Sequence, residues 1–421
     1  MNLAVISVAA LALAVLVSCV SRLNVGVLSV AMAWIVGVYL GGLPVGTVMA
    51  GFPSQLFLTL AGVTLLFAMA QSNGTLSQLT HHAVRVCRGN AGTIPIMFFV
   101  LGTLISSMGP GNIATAALLA PIAMATAVRA GIPLFLMAIM VGNGANAGAL
   151  SPFAPTGIIV NGIMAKYQMA GLETAAYLYN LAAHALMAFG GYALFGGLRL
   201  FAAERTAEVV DPEGRLPPVA LVKEGRAFTR PQRLTLGVIA ALLFSVLGLG
   251  AHVGLAAFVA AVLLVAAGAA DDGEAIKLMP WRVIIMVTGV TVLIALVERF
   301  QGIDLMVSLV ARVSTPDTVT GIVALLTGIV SVYSSTSGVV LPAFLPLAPG
   351  LAAQLPGASA TGIAMAMNIG GHLVDVSPLS TIGALCIAGA TGGDTTRLFN
   401  QLLAWGLSMA VVGALLCYVL F

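Results

Sequence analysis

The chain has 421 residues, of which 60% are apolar and only 7% charged, with a formal net charge of +3. A soluble domain carries roughly a quarter charged residues, so no water-facing surface can be built from this composition, and so small a basic excess leaves no footprint for nucleic acid. Apolar runs of 17 or more residues recur throughout, each able to cross ~30 Å of hydrocarbon as a helix, which makes the chain an all-α polytopic membrane protein.

Spans are predicted at residues 3–20, 25–41 and 54–71. The first lacks the basic start and cleavage site of a signal peptide and is read as a span. His81-His82 then fall in a polar amphipathic stretch and read as a solvated face. A hairpin is predicted over 92–127, with its tip at Ser106-Ser107-Met108-Gly109-Pro110-Gly111-Asn112-Ile113-Ala114-Thr115. Gly-Pro-Gly cannot continue a helix. The second arm therefore starts at the tip and turns its free N–H groups and positive dipole end toward it, a setting suited to a carboxylate. Gly111, Asn112 and Thr115 are the candidate substrate ligands here, and Ser107 a candidate for a coupling cation.

A broken span is predicted over 132–165, because Gly, Pro and Asn crowd the stretch Gly142 to Gly157 and an unbroken helix there is improbable. Asn143 and Gly148 are candidate cation ligands, Asn146 and Ser151 candidate substrate ligands. A span at 174–198 closes this half. The segment 199–233 holds Asp211-Pro212-Glu213-Gly214 and Pro217-Pro218 and reads as a cytoplasmic linker. Beyond it come spans at 234–250, 252–270 and 281–298, a hairpin at 318–354, a broken span at 358–391 and a last span at 398–420. Glu298, Arg299 and Asp304 fall at a span end, where interfacial placement is expected. The second hairpin tip is a hydroxyl cluster, Ser334-Ser335-Thr336-Ser337, whose groups need partners away from water. Ser335, Thr336 and Ser337 are assigned to substrate, Ser334 and Thr336 to a cation. The second break holds Asn368, His372 and Asp375 as cation-coupling candidates and Ser377 and Pro378 as substrate candidates. Asp375 is an acid at membrane depth, which marks function by default; His372 is near enough in sequence to partner it. Asn112 with Asn143, and Thr336 with Asn368, form two candidate Na⁺ sites.

The halves resemble one another at offsets between 225 and 228 residues. Pro53 and Gly62-Val63-Thr64 recur as Pro280 and Gly289-Val290-Thr291, Arg85-Val86 as Arg312-Val313, Gly111 as Gly338, Asn143 as Asn368, Ser151-Pro152 as Ser377-Pro378 and Gly157 as Gly383. Each half (1–198 and 234–421) holds about five crossings and one re-entrant hairpin, an odd count, so the second copy is expected inverted. Inverted repeats with interrupted helices point to alternating access around a midplane site. With both termini outside, 14 of the 17 basic residues fall in the cytoplasm, leaving Lys166, Arg299 and Arg312, as the positive-inside rule prefers.

The stretches Phe52 to Phe57, Gly62 to Phe67 and Asn73 to Thr75, with Gly109 to Asn112 and Asn143 to Pro155, resemble the MatC-type dicarboxylate (malonate) carriers of the ion-transporter superfamily, relatives of the divalent anion/sodium symporters. The resemblance implies a homodimer in the bacterial inner membrane, an elevator mechanism, and dicarboxylate import coupled to Na⁺ with no cofactor. Symporters of that superfamily carry Ser-Asn-Thr at each tip, whereas this chain has Gly111-Asn112-Ile113 and Ser335-Thr336-Ser337. Asp375 keeps proton coupling, exchange and cation/proton antiport open. An intramembrane enzyme or channel is the rival from another class, and no metal-ligand spacing, phosphate loop or nucleophilic triad speaks for an enzyme.

Overall fold

The computed structural model describes residues 2–20, 23–79, 91–202, 227–390 and 394–421. Every regular element among them is helical, as it must be where backbone groups have no water to bond. Six of these helices are long and apolar enough to cross a membrane: Ser54–Ser72, Gly111–Val128, Trp281–Arg299, Thr336–Gln354, Ala360–Gly389 and Thr395–Leu420. The chain is thus a multi-pass membrane protein.

The first part runs α1 (Leu3–Val20), α2 (Val25–Leu40), α3 (Val45–Met49), α4 (Ser54–Ser72), α5 (Thr93–Met108), α6 (Gly111–Arg129), α7 (Leu134–Ala147), α8 (Pro155–Lys166), α9 (Glu173–Leu194) and α10 (Gly197–Ala202). The second runs α11 (Arg230–Leu249), α12 (Val253–Ala266), α13 (Asp272–Leu278), α14 (Trp281–Arg299), α15 (Gly302–Ala311), α16 (Val319–Tyr333), α17 (Thr336–Gln354), α18 (Ala360–Leu373), α19 (Thr381–Gly389) and α20 (Thr395–Leu420). With α15 set aside, α11 to α20 repeat the order of α1 to α9.

Packing repeats as well. α4 lies on α12, and α14 lies on α2. At both crossings the backbones touch: a Cβ on Gly62 would run into the carbonyl of Gly254, and one on Gly289 into that of Gly26. Small residues are what allow helices so close together in lipid. The interior belongs to α7 and α18. From Phe135 to Ala147 every residue of α7 is buried, and from Gly362 to Leu373 every residue of α18, the pattern of a helix enclosed on all sides. α5 packs on α7 and α16 on α18, again through glycine, with Gly144 against Phe99 and Gly370 against Ala324.

Several boundaries differ from the sequence reading. α10 and the first turn of α11 take up both ends of the expected linker 199–233, and residues 203–226 lie outside the described residues, as do Arg22, His81-His82, Arg85 and Arg88. α11 starts early because Thr229 and Gln232 form a capping box around Pro231 in the first turn, which satisfies the first free amides. α3, α13 and α15 are additional short helices. α17 is irregular: a π turn at Thr336–Val340 leads into α-helix, a 3-10 turn at Leu345–Leu347 and α-helix again.

Candidate functional site

The first tip turns at Gly109 (φ 140°) and Gly111 (φ 77°), values that side chains with a Cβ rarely adopt. A Cβ on Gly109 would also strike the ring of Phe67 on α4. α6 therefore starts at the tip, as the Gly-Pro-Gly motif led us to expect. Asn112 in its first turn donates from Nδ2 to Asn146 Oδ1 (2.8 Å). Asn146 ends α7, and its carbonyl accepts from Asn180 Nδ2 of α9 (2.8 Å). Ser151, in the break between α7 and α8, donates to the carbonyl of Ser107 (2.7 Å), tying the break to the hairpin.

At the second tip Ser334 and Ser335 are extended, and Ser335 Oγ accepts from the amide of Gly338 (3.2 Å). Thr336 then enters a buried chain: its hydroxyl donates to Asp375 Oδ1 (2.6 Å) and pairs with Ser331 Oγ of α16. Asp375 lies in the 3-10 turn Val374–Val376 that ends α18. Ser380 donates to the Asp375 carbonyl and to that of Ser377 (2.7 Å), closing the turn before α19 begins.

The two tips meet because each hairpin's second arm lies on the other half's broken span, α6 on α19 and α17 on α8. Between them is a cavity of about 510 Å³, within the range of small-molecule sites. Asn112 and Ile113 border it from one tip, Ser334, Ser335, Thr336 and Ser337 from the other, and Asp375, Ser380 and Thr381 from the second break. At its mouth stand Asn24 and Arg282, whose carbonyl accepts from Asn24 Nδ2 (2.9 Å). Among the described residues lining it, Asp375 is the one acid and Arg282 the one base. Gly111 borders a second chamber of about 250 Å³ on the other side of the first tip.

The other candidates stand behind these walls. Asn143 is fully buried, donates to the Ile139 carbonyl (2.8 Å) and meets His184 Nδ1 through Oδ1 (2.9 Å), so the structure joins Asn112 to Asn146 and not to Asn143. Asn368 is buried with Nδ2 toward Met164 Sδ (4.0 Å), while Thr336 goes to Asp375. His372 Nδ1 lies 2.9 Å from the carbonyl of Asn368 on its own helix, so the partner of Asp375 is Thr336. Thr115 is fully buried, and its hydroxyl finds no partner among the described residues. Ser107 donates to the Thr103 carbonyl (2.6 Å) and meets the Tyr177 hydroxyl (2.9 Å). Gly148 packs on α5, where a Cβ would meet the Thr103 carbonyl at 2.6 Å. Ser377 and Pro378 are buried, with Ser377 Oγ accepting from the Leu379 amide (3.3 Å). Sequence reasoning missed Arg282, Ser331 and His184. A lone histidine in an apolar span was the signal for His184; nothing local marked the other two.

At the far end of α14 from Arg282, Glu298 Oε2 accepts from Lys166 Nζ (2.6 Å) and from the Tyr167 hydroxyl (3.1 Å). This links the end of α8 to the end of α14. Burial first, and then the Glu298 charge, push the Tyr167 phenol above its usual pKa, so it stays a donor.

Enclosed pillars, paired hairpins and a polar cavity between interrupted helices define a polytopic helical membrane protein. Its fold is similar to the YdaH transporter of Alcanivorax borkumensis, with a TM-score of 0.60 and 18% identity over 89% of this chain and 87% of that one. Residues 1–149 match the family model described as dicarboxylate carrier protein MatC N-terminus, which bears out the resemblance over α1 to α7 and the first tip. No curated protein matches the chain.

Proposed function

We propose that the protein is a secondary transporter that imports small dicarboxylates of the malonate/succinate class together with a cation, Na⁺ in the first instance, by elevator-type alternating access between two inverted repeats in a homodimer. The observation that carries this reading is the cavity between the tips, with one guanidinium at its mouth and one carboxylate in its wall, in a chain whose first 149 residues match a dicarboxylate-carrier model.

The charges supply the coupling. A dianion entering beside ionised Asp375 meets repulsion on the order of 4 kcal/mol for charges ~4 Å apart at an effective dielectric of ~20. Arg282 offsets part of that. A cation held by Asp375, Thr336 and neighbouring carbonyls removes the rest, so cation and dianion bind cooperatively. A proton on Asp375 does the same work. That second reading is favoured by the burial of a single carboxylate in the cavity wall. The basic-residue bias puts both termini outside and the Asn24 and Arg282 mouth in the cytoplasm, making this an inward-open arrangement with the Lys166–Glu298 pair on the closed external side.

The test is uptake of radiolabelled malonate and succinate by proteoliposomes containing the purified chain, with a Na⁺ gradient at constant pH and, separately, a pH gradient without Na⁺. Saturable accumulation driven by the first supports Na⁺ symport, and by the second alone proton coupling. Uptake that follows neither gradient, or never exceeds equilibration, refutes the proposal.

A further inference from the structure

The second chamber borders the same tip residues as the polar cavity but has a different chemistry. Its walls come mostly from apolar side chains, Phe67 and Ala68 of α4, Ala114 and Ala117 of α6, Ile159 of α8 and Leu278 of α13, with Gln71 and Thr156 as polar groups at its edge and no charged side chain among the described residues. The hydroxyl of Thr64, which also faces it, is spent on the Leu60 carbonyl of its own helix (2.7 Å). Asn112, Ile113, Val283 and Ser337 border both spaces, so at the tips the two lie on either side of the same side chains. Filled with water, about 250 Å³ corresponds to roughly eight molecules at ~30 Å³ each, against walls that are mostly apolar. Such a space gains from being filled by hydrocarbon.

We infer that the cargo class is the small dicarboxylates that carry an apolar substituent, alkyl- or arylmalonates, with the carboxylates between the tips and the substituent passing Ile113 and Val283 into the chamber. This rests on the proposed dicarboxylate site and adds to it a subsite with opposite chemistry. Each methylene buried is worth ~0.8 kcal/mol, about fourfold in affinity.

The experiment is calorimetric titration of the purified full-length chain in Na⁺ buffer with malonate, ethylmalonate, propylmalonate, butylmalonate and phenylmalonate. Kd is expected to fall about fourfold per methylene along the alkyl series, with phenylmalonate also tighter than malonate. The variant Ala117→Leu fills the chamber from an exposed position of α6; it is expected to erase this gain and leave the Kd for malonate within about twofold. Malonate binding with a flat or rising Kd along the series overturns the inference and leaves the dicarboxylate reading standing. So does equal weakening of all five ligands by Ala117→Leu, since the gain would then not come from the chamber. Failure of every ligand to bind defeats both readings.

Discussion

Replacing Thr336 by Val keeps the shape of the side chain and deletes one hydroxyl. That hydroxyl is bonded to Asp375 at 2.6 Å, to Ser331 and, at 3.3 Å, to the Gly371 carbonyl, so these links break together. Neutral side-chain hydrogen bonds between membrane helices average only ~0.6 kcal/mol. Hydrogen bonds to charged groups contribute ~1.5–3 kcal/mol, and a carboxylate left without its donor also bears a desolvation penalty. Ser331→Ala, which removes the neutral end of the chain, is therefore expected to cost about threefold in the cation concentration that half-activates uptake. Thr336→Val is expected to cost about tenfold to a hundredfold, and Thr336→Ser to stay near wild type. The assay is malonate uptake by proteoliposomes across a Na⁺ titration, with thermal unfolding run alongside to separate misfolding from loss of the site. Equal effects of Thr336→Ser and Thr336→Val, or a Ser331→Ala defect as large as that of Thr336→Val, would refute the assignment of Thr336 as the donor that sets Asp375.

Arg282→Gln removes the cation at the cavity mouth; substrate affinity should fall and the salt dependence of binding flatten, since steering by an exposed charge is screened by ions. Equilibrium binding at two ionic strengths checks both. The Lys166–Glu298 pair is about half exposed, with side chains at 49% and 41%, so it is worth ~0.2–1 kcal/mol. Glu298→Gln should then lower the population open at Arg282 by no more than about fivefold, read as slower thiol labelling of a Leu379→Cys reporter on the cavity wall. Gly289→Ala places a methyl against the Gly26 carbonyl; overpacking of this kind costs ~1–3 kcal/mol, and the thermal midpoint of the purified protein should drop while Gly46→Ala, at an open position, leaves it unchanged.

The helical spans, both hairpins and both breaks were legible because their signals are local. Gly109-Pro110-Gly111 and the crowded stretch from Gly142 to Gly157 stop helices through their own backbone chemistry, and buried apolar runs declare spans by length. The short helices were not. α15, with Asp304 in its first turn, reads in sequence as the polar end of the preceding span, since ten residues cannot cross a bilayer. Site geometry was legible only where tips and breaks supply it. His372 and Asp375 are three apart, which on a continuous helix would put them on one face. His372 turns back to the Asn368 carbonyl of its own helix, however, while Asp375, beyond the end of α18, bonds Thr336 of the second tip. Asn112 chooses Asn146 over Asn143 because α7 turns Asn143 toward His184 of α9. Arg282 reaches the site from a helix start more than fifty residues before the second tip, a meeting decided by how α14 docks.

The reciprocal glycine crossings make each half a lid for the other. Gly62 finds its fit on Gly254 and Gly289 on Gly26, so neither half has a finished surface of its own. Severing the chain between residues 202 and 227 should leave two fragments that copurify and still catalyse uptake when made together. Either fragment produced alone would present a bare small-residue seam to lipid and be cleared by the cell.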